Sequence, residues 1–67
     1  MEFGRILKEL REEKSLTQLQ LAQQTGISQQ SIATWENSTN EPKVSGVITL
    51  AQFFNVTVGQ ILGVEPF

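Results

Sequence analysis

Cysteine, histidine, tyrosine and aspartate are absent from the sequence. Without cysteine and histidine, the usual protein ligands of zinc, copper and iron are missing, so we expect neither a metal site nor a cofactor. The same absence excludes thiol nucleophiles and the catalytic pairing of serine or cysteine with histidine. Because a chain of 67 residues is also too short for a deep pocket, we expect a protein that is not an enzyme.

Long apolar runs are missing as well. Arg5, Lys8 and Glu9 interrupt the N-terminal segment, which therefore lacks the apolar core of a signal peptide. No segment approaches the roughly 20 apolar residues that span a bilayer, and no cysteine is present to form a disulfide. These features predict a soluble cytoplasmic protein that binds neither a membrane nor a small-molecule substrate.

The length predicts one small domain over residues 1–67, with 39% hydrophobic residues and a single modest core. The net charge is −2 and the isoelectric point is about 4.9. Nucleic-acid-binding proteins usually carry a positive surface, so a DNA-binding interpretation must account for this charge.

Apolar residues recur at helical spacing in five segments, and no segment alternates with period two as a half-buried strand does. Thr17, Ser28 and Thr57 stand where a helix N-cap is expected, and Gly26 and Gly63 stand where a left-handed residue would end a helix. The sequence therefore predicts an all-α, compact five-helix fold. The predicted helices cover residues about 3–14, 18–24, 29–36, 44–54 and 58–62.

The apolar spacing also predicts which side of each helix faces the core. Ile32 and Trp35 lie three residues apart in the third helix, so Trp35 is predicted to be a core residue. In the fourth helix, the predicted core stripe consists of Val44, Val47, Ile48, Ala51 and Phe54, with Leu50 beside it.

Residues 15–35 contain no charged side chain, and six of the eight glutamines lie there. Two short predicted helices in this segment are joined by Thr25-Gly26-Ile27, which is typical of the glycine-containing turn of a helix-turn-helix motif. Such motifs place their second helix in the major groove of DNA, with its N-terminal residues at the base edges. The segment therefore predicts an uncharged surface that reads DNA.

Ser28, Gln29 and Gln30 begin this second helix. A glutamine amide offers donors and an acceptor that match N6 and N7 of adenine, and one such pair discriminates against a wrong base by about 1–3 kcal/mol. Thr34, one turn further along, can approach a thymine methyl group or a phosphate. The alternative for any glutamine is an ordinary solvated helix surface. We assign that alternative to Gln20, Gln23, Gln24, Gln52 and Gln60.

The segment TQLQLAQQTGISQQSIATWEN resembles the helix-turn-helix of the Cro/CI-type (XRE) regulators, above all the lambdoid phage repressors and Cro proteins. The resemblance runs from about Phe3 to Leu62 and includes PKVSGVITLAQFFNVTVGQIL. It implies a lambda-repressor-like DNA-binding domain and a phage or prophage transcriptional regulator, located on the nucleoid of a bacterial cell. Because no further domain follows in the sequence, we expect a Cro-like protein rather than a two-domain repressor.

The resemblance also implies roles for individual residues. Gln18 would bind a phosphate with the help of free N–H groups at its helix N-terminus. Gln29 and Gln30 would read bases, Thr34 would add a base contact, and Asn37 would contact the DNA backbone. The complete predicted DNA-binding set is Thr17, Gln18, Ser28, Gln29, Gln30, Ser31, Thr34, Asn37, Thr39, Asn40 and Lys43.

Arg11 and Glu36 match a pair that, in this family, joins helix 1 to the end of helix 3. One interpretation is a structural ion pair that organises the fold. The other is that Glu36 helps Arg11 to face a phosphate, and the sequence leaves both open.

The loop after the predicted recognition helix departs from the family pattern. Relatives usually carry lysine or arginine there, whereas this loop reads Ser38-Thr39-Asn40-Glu41-Pro42 and has Lys43 as its one cation. Serine and asparagine can hydrogen-bond to phosphates but release no counterions, and Glu41 would repel phosphate. If about two or three cations per subunit neutralise phosphates, at a log–log slope of about −0.9 each, the salt dependence should be shallow.

Three apolar residues are candidates for a protein interface. Leu19 is expected on the outward side of helix 2, Phe53 replaces a usually small residue on helix 4, and Phe67 ends an apolar tail. By the resemblance, Phe53 and the tail lie near the region that such repressors use to dimerise. We therefore expect a homodimer formed through helices 4 and 5.

Two functions follow from these features. The first is a homodimeric regulator that binds a double-stranded DNA operator, with half-sites about 34–36 Å apart. The alternative is an acidic modulator or anti-repressor that uses the same scaffold to bind a co-encoded repressor protein, alone or together on DNA. The low isoelectric point, Glu41 and Leu19 motivate this alternative.

Overall fold

Residues 2–67 are described in the computed structural model, and this range contains five α-helices and no strand. The predicted all-α, five-helix fold is therefore confirmed. Helix α1 ends one residue earlier than predicted, and α2 ends one residue later. The helices are α1 (Phe3–Glu13), α2 (Gln18–Thr25), α3 (Gln29–Glu36), α4 (Val44–Phe54) and α5 (Val58–Leu62).

Short-range hydrogen bonds set where α2 and α5 begin. Thr17 Oγ1 accepts a hydrogen bond from the backbone N–H of Gln20 at 3.0 Å, and Gln20 Oε1 accepts one from the N–H of Thr17 at 2.8 Å. Thr57 and Gln60 form the same reciprocal capping box at the start of α5. Gly26 ends α2 at φ 79°, a left-handed conformation that glycine adopts without steric cost. These local signals explain why the helix positions are readable from the sequence.

Trp35 is buried and lies between α1 and α4. Its ring packs edge-on against Phe3 of α1, with ring centroids 6.2 Å apart. Gly46 of α4 also lies against the Trp35 ring, and a Cβ added to Gly46 would be 2.5 Å from Cη2 of Trp35. The core is completed by the buried residues Ile6, Leu7, Leu21, Ala22, Ile32, Val47, Leu50, Ala51, Phe54 and Ile61.

The predicted core stripe of α4 is wrong at two positions. Val44 is 76% exposed and Ile48 is 43% exposed, whereas Leu50 is completely buried. Residues Val47, Leu50 and Phe54 set the direction in which α4 faces the core, so residues 44 and 48 lie to one side of it. The apolar stripe in the sequence is thus wider than the part of α4 that the other helices cover.

No helix within residues 2–67 combines the length and the apolar character that are needed to cross a membrane.

Candidate nucleic-acid interface

Helices α2 and α3 form the predicted helix-turn-helix. Buried Leu21 on α2 and buried Ile32 on α3 belong to the same core cluster, and the chain reverses between the helices at Gly26. No charged residue occurs from Ser15 to Trp35, so the exposed side of this pair is neutral, and it is polar apart from Leu19. A surface of this kind recognises a partner by hydrogen bonding and shape rather than by net charge.

The N-terminus of α3 presents two free amide side chains. Ser28 caps the helix by accepting a hydrogen bond from the N–H of Ser31 at 3.1 Å, and it donates to Ser31 Oγ at 2.8 Å. Gln29 and Gln30 follow the cap, are exposed, and make no side-chain hydrogen bond within residues 2–67. Their donors and acceptors are therefore available to an external partner, while the serines fix the backbone beneath them.

Thr34 lies one turn beyond Gln30 and is half-buried. Its hydroxyl donates to the backbone carbonyl of Ser31 at 3.0 Å, so its proton is already used within the protein. The oxygen lone pairs and the methyl group of Thr34 remain as possible contacts with DNA.

The side chain of Gln18, unlike those of Gln29 and Gln30, makes a hydrogen bond within the protein. It is half-buried, and its side-chain Nε2 donates to Glu36 Oε1 at 3.1 Å. Thr17 already accepts from the N–H of Gln20, which leaves the N–H groups of Gln18 and Leu19 as the donors free at the start of α2. The backbone N–H groups and the second N–H of the Gln18 amide thus remain as donors for a phosphate, while Glu36 holds the first amide N–H.

Arg11 and Glu36 form a bidentate ion pair. Arg11 Nε donates to Glu36 Oε2 at 2.7 Å and Nη2 donates to Oε1 at 2.9 Å, while Nη1 donates to the carbonyl of Leu16 at 2.6 Å. The side chains are only 11% and 3% exposed. The hydrogen bond to Glu36 raises the pKa of Arg11 above its ordinary value. The pair joins α1, the turn before α2 and the end of α3, and it leaves Arg11 little surface for a phosphate.

The predicted DNA-binding residues are thereby divided between the two ends of α3. The hydrogen bond from Gln18 to Glu36 brings the start of α2, with Thr17, beside the last turn of α3, which is followed by Asn37. Ser28 and Ser31 lie towards the opposite end, and the rise of a helix of eight residues puts Ser28 about 12 Å from Glu36. One end therefore presents candidate base contacts and the other presents candidate phosphate contacts.

The loop from Asn37 to Lys43 follows the C-terminal end of α3, where the candidate phosphate contacts lie. Thr39 Oγ1 donates to the carbonyl of Thr34 at 3.1 Å, which folds the loop back onto α3. Asn37, Asn40 and Lys43 are exposed, and Lys43 stands immediately before α4. Their placement is compatible with contacts to a DNA backbone that passes this end of α3.

The exposed cations are few. Arg5 pairs with Glu2 and with Glu9, and Arg11 pairs with Glu36, so both arginines are engaged within residues 2–67. Among the lysines, Lys14 follows α1 shortly before the start of α2, and Lys43 precedes α4. Lys14 and Lys43 thus flank the helix-turn-helix in the sequence, and the third lysine, Lys8, is exposed on α1.

The structure separates the three candidate interface residues. Leu19 is 49% exposed and Phe67 is 70% exposed. Phe53, however, is half-buried and packs edge-on against Phe54 with ring centroids 5.0 Å apart, so it is largely occupied within its own subunit. The exposed apolar residues of α4 are instead Val44 and Ile48. The interpretation of the sequence missed them because their spacing also fits a core stripe.

The helix-turn-helix family matches residues 7–61. The chain is 38% identical over 65 residues to the HTH-type transcriptional activator BcrR of Enterococcus faecalis, which covers 97% of this chain and 32% of that protein. It is 37% identical over 61 residues to the antitoxin PezA of Streptococcus pneumoniae, covering 91% of this chain and 39% of PezA. It is also 32% identical over 65 residues to the immunity repressor protein of Bacillus phage phi105, covering 97% of this chain and 45% of the repressor.

The chain thus spans about a third to a half of the length of these curated relatives. No solved structure matches it significantly. The family match includes all of α2, α3 and α4, together with the ion pair that holds α1 to α3. The predicted recognition is confirmed, and the chain belongs to the helix-turn-helix (XRE, Cro/CI-type) family of transcriptional regulators.

Proposed function

We propose that this chain is a sequence-specific DNA-binding regulator that inserts α3 into the major groove and reads an operator half-site with Gln29 and Gln30. The observation that carries the proposal is the pair of exposed amides at the start of α3, which have no partner within residues 2–67. A glutamine amide in this position matches the N6 and N7 edge of adenine. Ser28 and Ser31 hold the helix end in place, so little order has to be gained on binding.

Phosphate contacts come from the other end of α3 and from the start of α2. The free N–H groups of Gln18 and Leu19 supply donors at a helix N-terminus, where negative charge is stabilised. Asn37, Asn40 and Lys43 supply further contacts from the loop. This division between positioning contacts and base contacts is the usual one in protein–DNA interfaces.

The acidic net charge is compatible with this function because the reading surface itself is neutral. Residues 15–35 place no carboxylate against the DNA, and the carboxylate of Glu36 is neutralised by Arg11. With only Lys14 and Lys43 nearby, non-specific affinity is low and specificity rests on hydrogen bonds to bases. We place the protein in the cytoplasm, where its DNA would be.

Two copies would bind one operator as a homodimer, each reading one half-site about one helical turn from the other. The relative named an immunity repressor supports a repressor role, and the relative named a transcriptional activator shows that the sign of regulation varies within the family. The operator of a phage or prophage is the target we propose.

The test compares Gln30→Ala and Gln29→Ala with Gln52→Ala, an exposed glutamine on α4 that serves as the control. On a duplex selected from a random library, each α3 variant should lose about 5- to 150-fold in affinity, which corresponds to about 1–3 kcal/mol, and should accept more bases at one position. Gln52→Ala should bind as wild type. An unchanged base preference in the Gln29→Ala/Gln30→Ala double variant would overturn direct reading by α3.

A second function is favoured by one observation, the exposed Leu19 on α2. An apolar side chain 49% exposed beside neutral glutamines is suited to a protein contact, and the antitoxin among the relatives shows that the family is not confined to repressors and activators. In this function the domain is a modulator that binds a repressor protein, alone or on DNA. If this second function is correct, selection from a random duplex library should enrich no DNA sequence unless that repressor is present.

A further inference from the structure

A groove runs along one side of α1, between this helix and the segment from Gln60 to Phe67, and it encloses about 480 Å³. The function proposed above does not use this α1–tail groove. Its lining includes the apolar or small residues Ile6, Leu10, Gly63 and Phe67. Phe67 is 70% exposed and Leu10 is half-buried, so the groove offers apolar surface that the protein itself does not cover.

The charge of the α1–tail groove is negative. Four carboxylates and one cation line it, which leaves a net charge of −3. The cation, Arg5, is already paired with Glu2 and with Glu9. The other two carboxylates, those of Glu13 and Glu65, form no ion pair within residues 2–67. The groove therefore combines uncovered apolar surface with two carboxylates that have no cation beside them.

The spacing along α1 places apolar and acidic residues on one side of the helix. Ile6, Glu9, Leu10 and Glu13 stand at positions i, i+3, i+4 and i+7. Glu9 and Glu13 are thus one turn apart, about 6 Å along the helix axis, and like charges at this spacing mildly destabilise a helix. Cations supplied from outside the protein would remove this repulsion.

We propose that the α1–tail groove binds a basic amphipathic helix of a partner protein. Cations one turn apart on that helix match the separation of Glu9 and Glu13, and its apolar residues cover Leu10 and Phe67. A metal ion or a polyamine would bind the carboxylates but leave this apolar surface exposed. DNA, an anionic membrane or a second copy of this chain would bring further negative charge to the groove and be repelled.

The α1–tail groove faces away from the candidate nucleic-acid interface. Gly4 and Arg11 mark the side of α1 that faces α3, since a Cβ added to Gly4 would be 2.4 Å from a backbone oxygen of α3 and Arg11 pairs with Glu36. At about 100° per residue, Glu9 and Glu13 lie about 140–180° around the helix from these two residues. An occupied groove therefore leaves α3 free, and the partner and an operator bind to opposite sides of the domain.

The experiment uses a synthetic peptide as the probe. The peptide has about 12 residues, so that as a helix it is about as long as the part of α1 that lines the groove. Lysine occupies every fourth position, leucine follows each lysine, and the other residues are alanine. One control peptide has alanine in place of leucine, and the other has glutamate in place of lysine.

Fluorescence anisotropy of the labelled peptides at about 50 mM salt measures binding, with wild-type protein at up to about 1 mM. The lysine–leucine peptide should bind at least about fivefold more tightly than the lysine–alanine peptide, because its leucines lose contact with water on binding. The glutamate peptide should not bind.

Two variants with the same change in net charge locate the site. Glu13→Gln/Glu65→Gln removes the two carboxylates without an ion pair, and glutamine keeps an oxygen that can accept from the hydroxyl of Thr57. Glu12→Gln/Glu41→Gln is the control, since both residues are exposed and neither lines the groove. The first variant should bind the lysine–leucine peptide about fivefold more weakly than wild type, and the control should bind it within about twofold of wild type.

The inference is wrong if neither lysine peptide binds to wild type at up to about 1 mM. It is also wrong if both double variants lose affinity equally, because the overall charge and not the groove would then attract the peptide. Equal binding of the two lysine peptides would overturn it as well and would identify a simple cation as the ligand. Gln29→Ala/Gln30→Ala should bind the peptide as wild type does, so these results are independent of whether α3 reads DNA.

Discussion

Replacement of Glu36 should test how much of the fold depends on one buried ion pair. Glu36 is 3% exposed and accepts three hydrogen bonds, two from Arg11 and one from Gln18. Removing one partner of a buried pair typically costs about 3–5 kcal/mol, because the other charge stays buried without compensation. A chain of this length has a total stability of only about 3–10 kcal/mol. Glu36→Ala should therefore be largely or completely unfolded.

The more informative variant is Glu36→Gln, which keeps the shape and one acceptor oxygen but loses the charge. Hydrogen bonds to charged groups contribute about 1.5–3 kcal/mol, so we expect a loss of about 2–3 kcal/mol. For a domain of this size, each kcal/mol lowers the melting temperature by about 4–8 °C, so the midpoint should fall by about 10 °C or more. Urea unfolding at pH 7, followed by the fluorescence of buried Trp35 and by circular dichroism, measures this loss.

Two further variants test whether the buried ion pair has this stabilising role. Arg5→Gln removes ion pairs in which the side chains are more than half exposed, so stability should hardly change. Arg11→Met/Glu36→Leu replaces both charges by apolar groups and should be more stable than either single variant. If Glu36→Gln loses less than about 0.5 kcal/mol, the pair does not hold α1 to α3 and our account of the interface is wrong.

Two further predictions concern packing and capping. Gly46→Ala should destabilise the fold by about 1–3 kcal/mol in urea unfolding, because the added Cβ would lie 2.5 Å from Cη2 of Trp35. This loss is expected despite the better helix propensity of alanine. Ser45→Ala, at an exposed position, is the control, and a Gly46→Ala variant more stable than wild type would contradict the tight packing. Thr57→Ala should cost about 1 kcal/mol because it removes the oxygen that accepts from the N–H of Gln60 at 3.0 Å. Thr57→Ser should restore the lost stability, and equal melting temperatures for both variants would show that the cap does not matter.

The helix positions were predictable because their signals are local. Thr17 with Gln20, Ser28 with Ser31, and the left-handed glycines act over two to four residues, and the structure contains each of these contacts. Such signals can be read from the sequence without knowledge of how the helices pack.

The orientation of α4 was not predictable in the same way. This helix is apolar on more than one side, so helical spacing alone does not show which side faces the core. Val44 and Ile48 lie beside the buried stripe, and Phe53 is partly covered by its own subunit. The exposure of Val44 and Ile48 therefore became evident from the packing and not from the sequence.

Contacts that join distant parts of the chain form a third category. The pair of Arg11 and Glu36 was expected from a resemblance, because 25 residues separate the two and no local pattern connects them. The hydrogen bond from Gln18 to Glu36 was not expected at all. It changes the proposed role of Gln18, since one N–H of the side-chain amide is held by Glu36, while the second amide N–H and the backbone N–H remain as donors.

The most direct test of the central claim is selection from a random duplex library at about 50 mM salt, followed by a salt titration of the selected duplex. We expect an enriched two-fold site with A·T pairs at the positions that face Gln29 and Gln30. We also expect a shallow log–log salt slope, about −2 per subunit for two lysines at about −0.9 each. If no duplex is enriched, or if binding follows charge without regard to sequence, α3 does not read DNA and the account is contradicted.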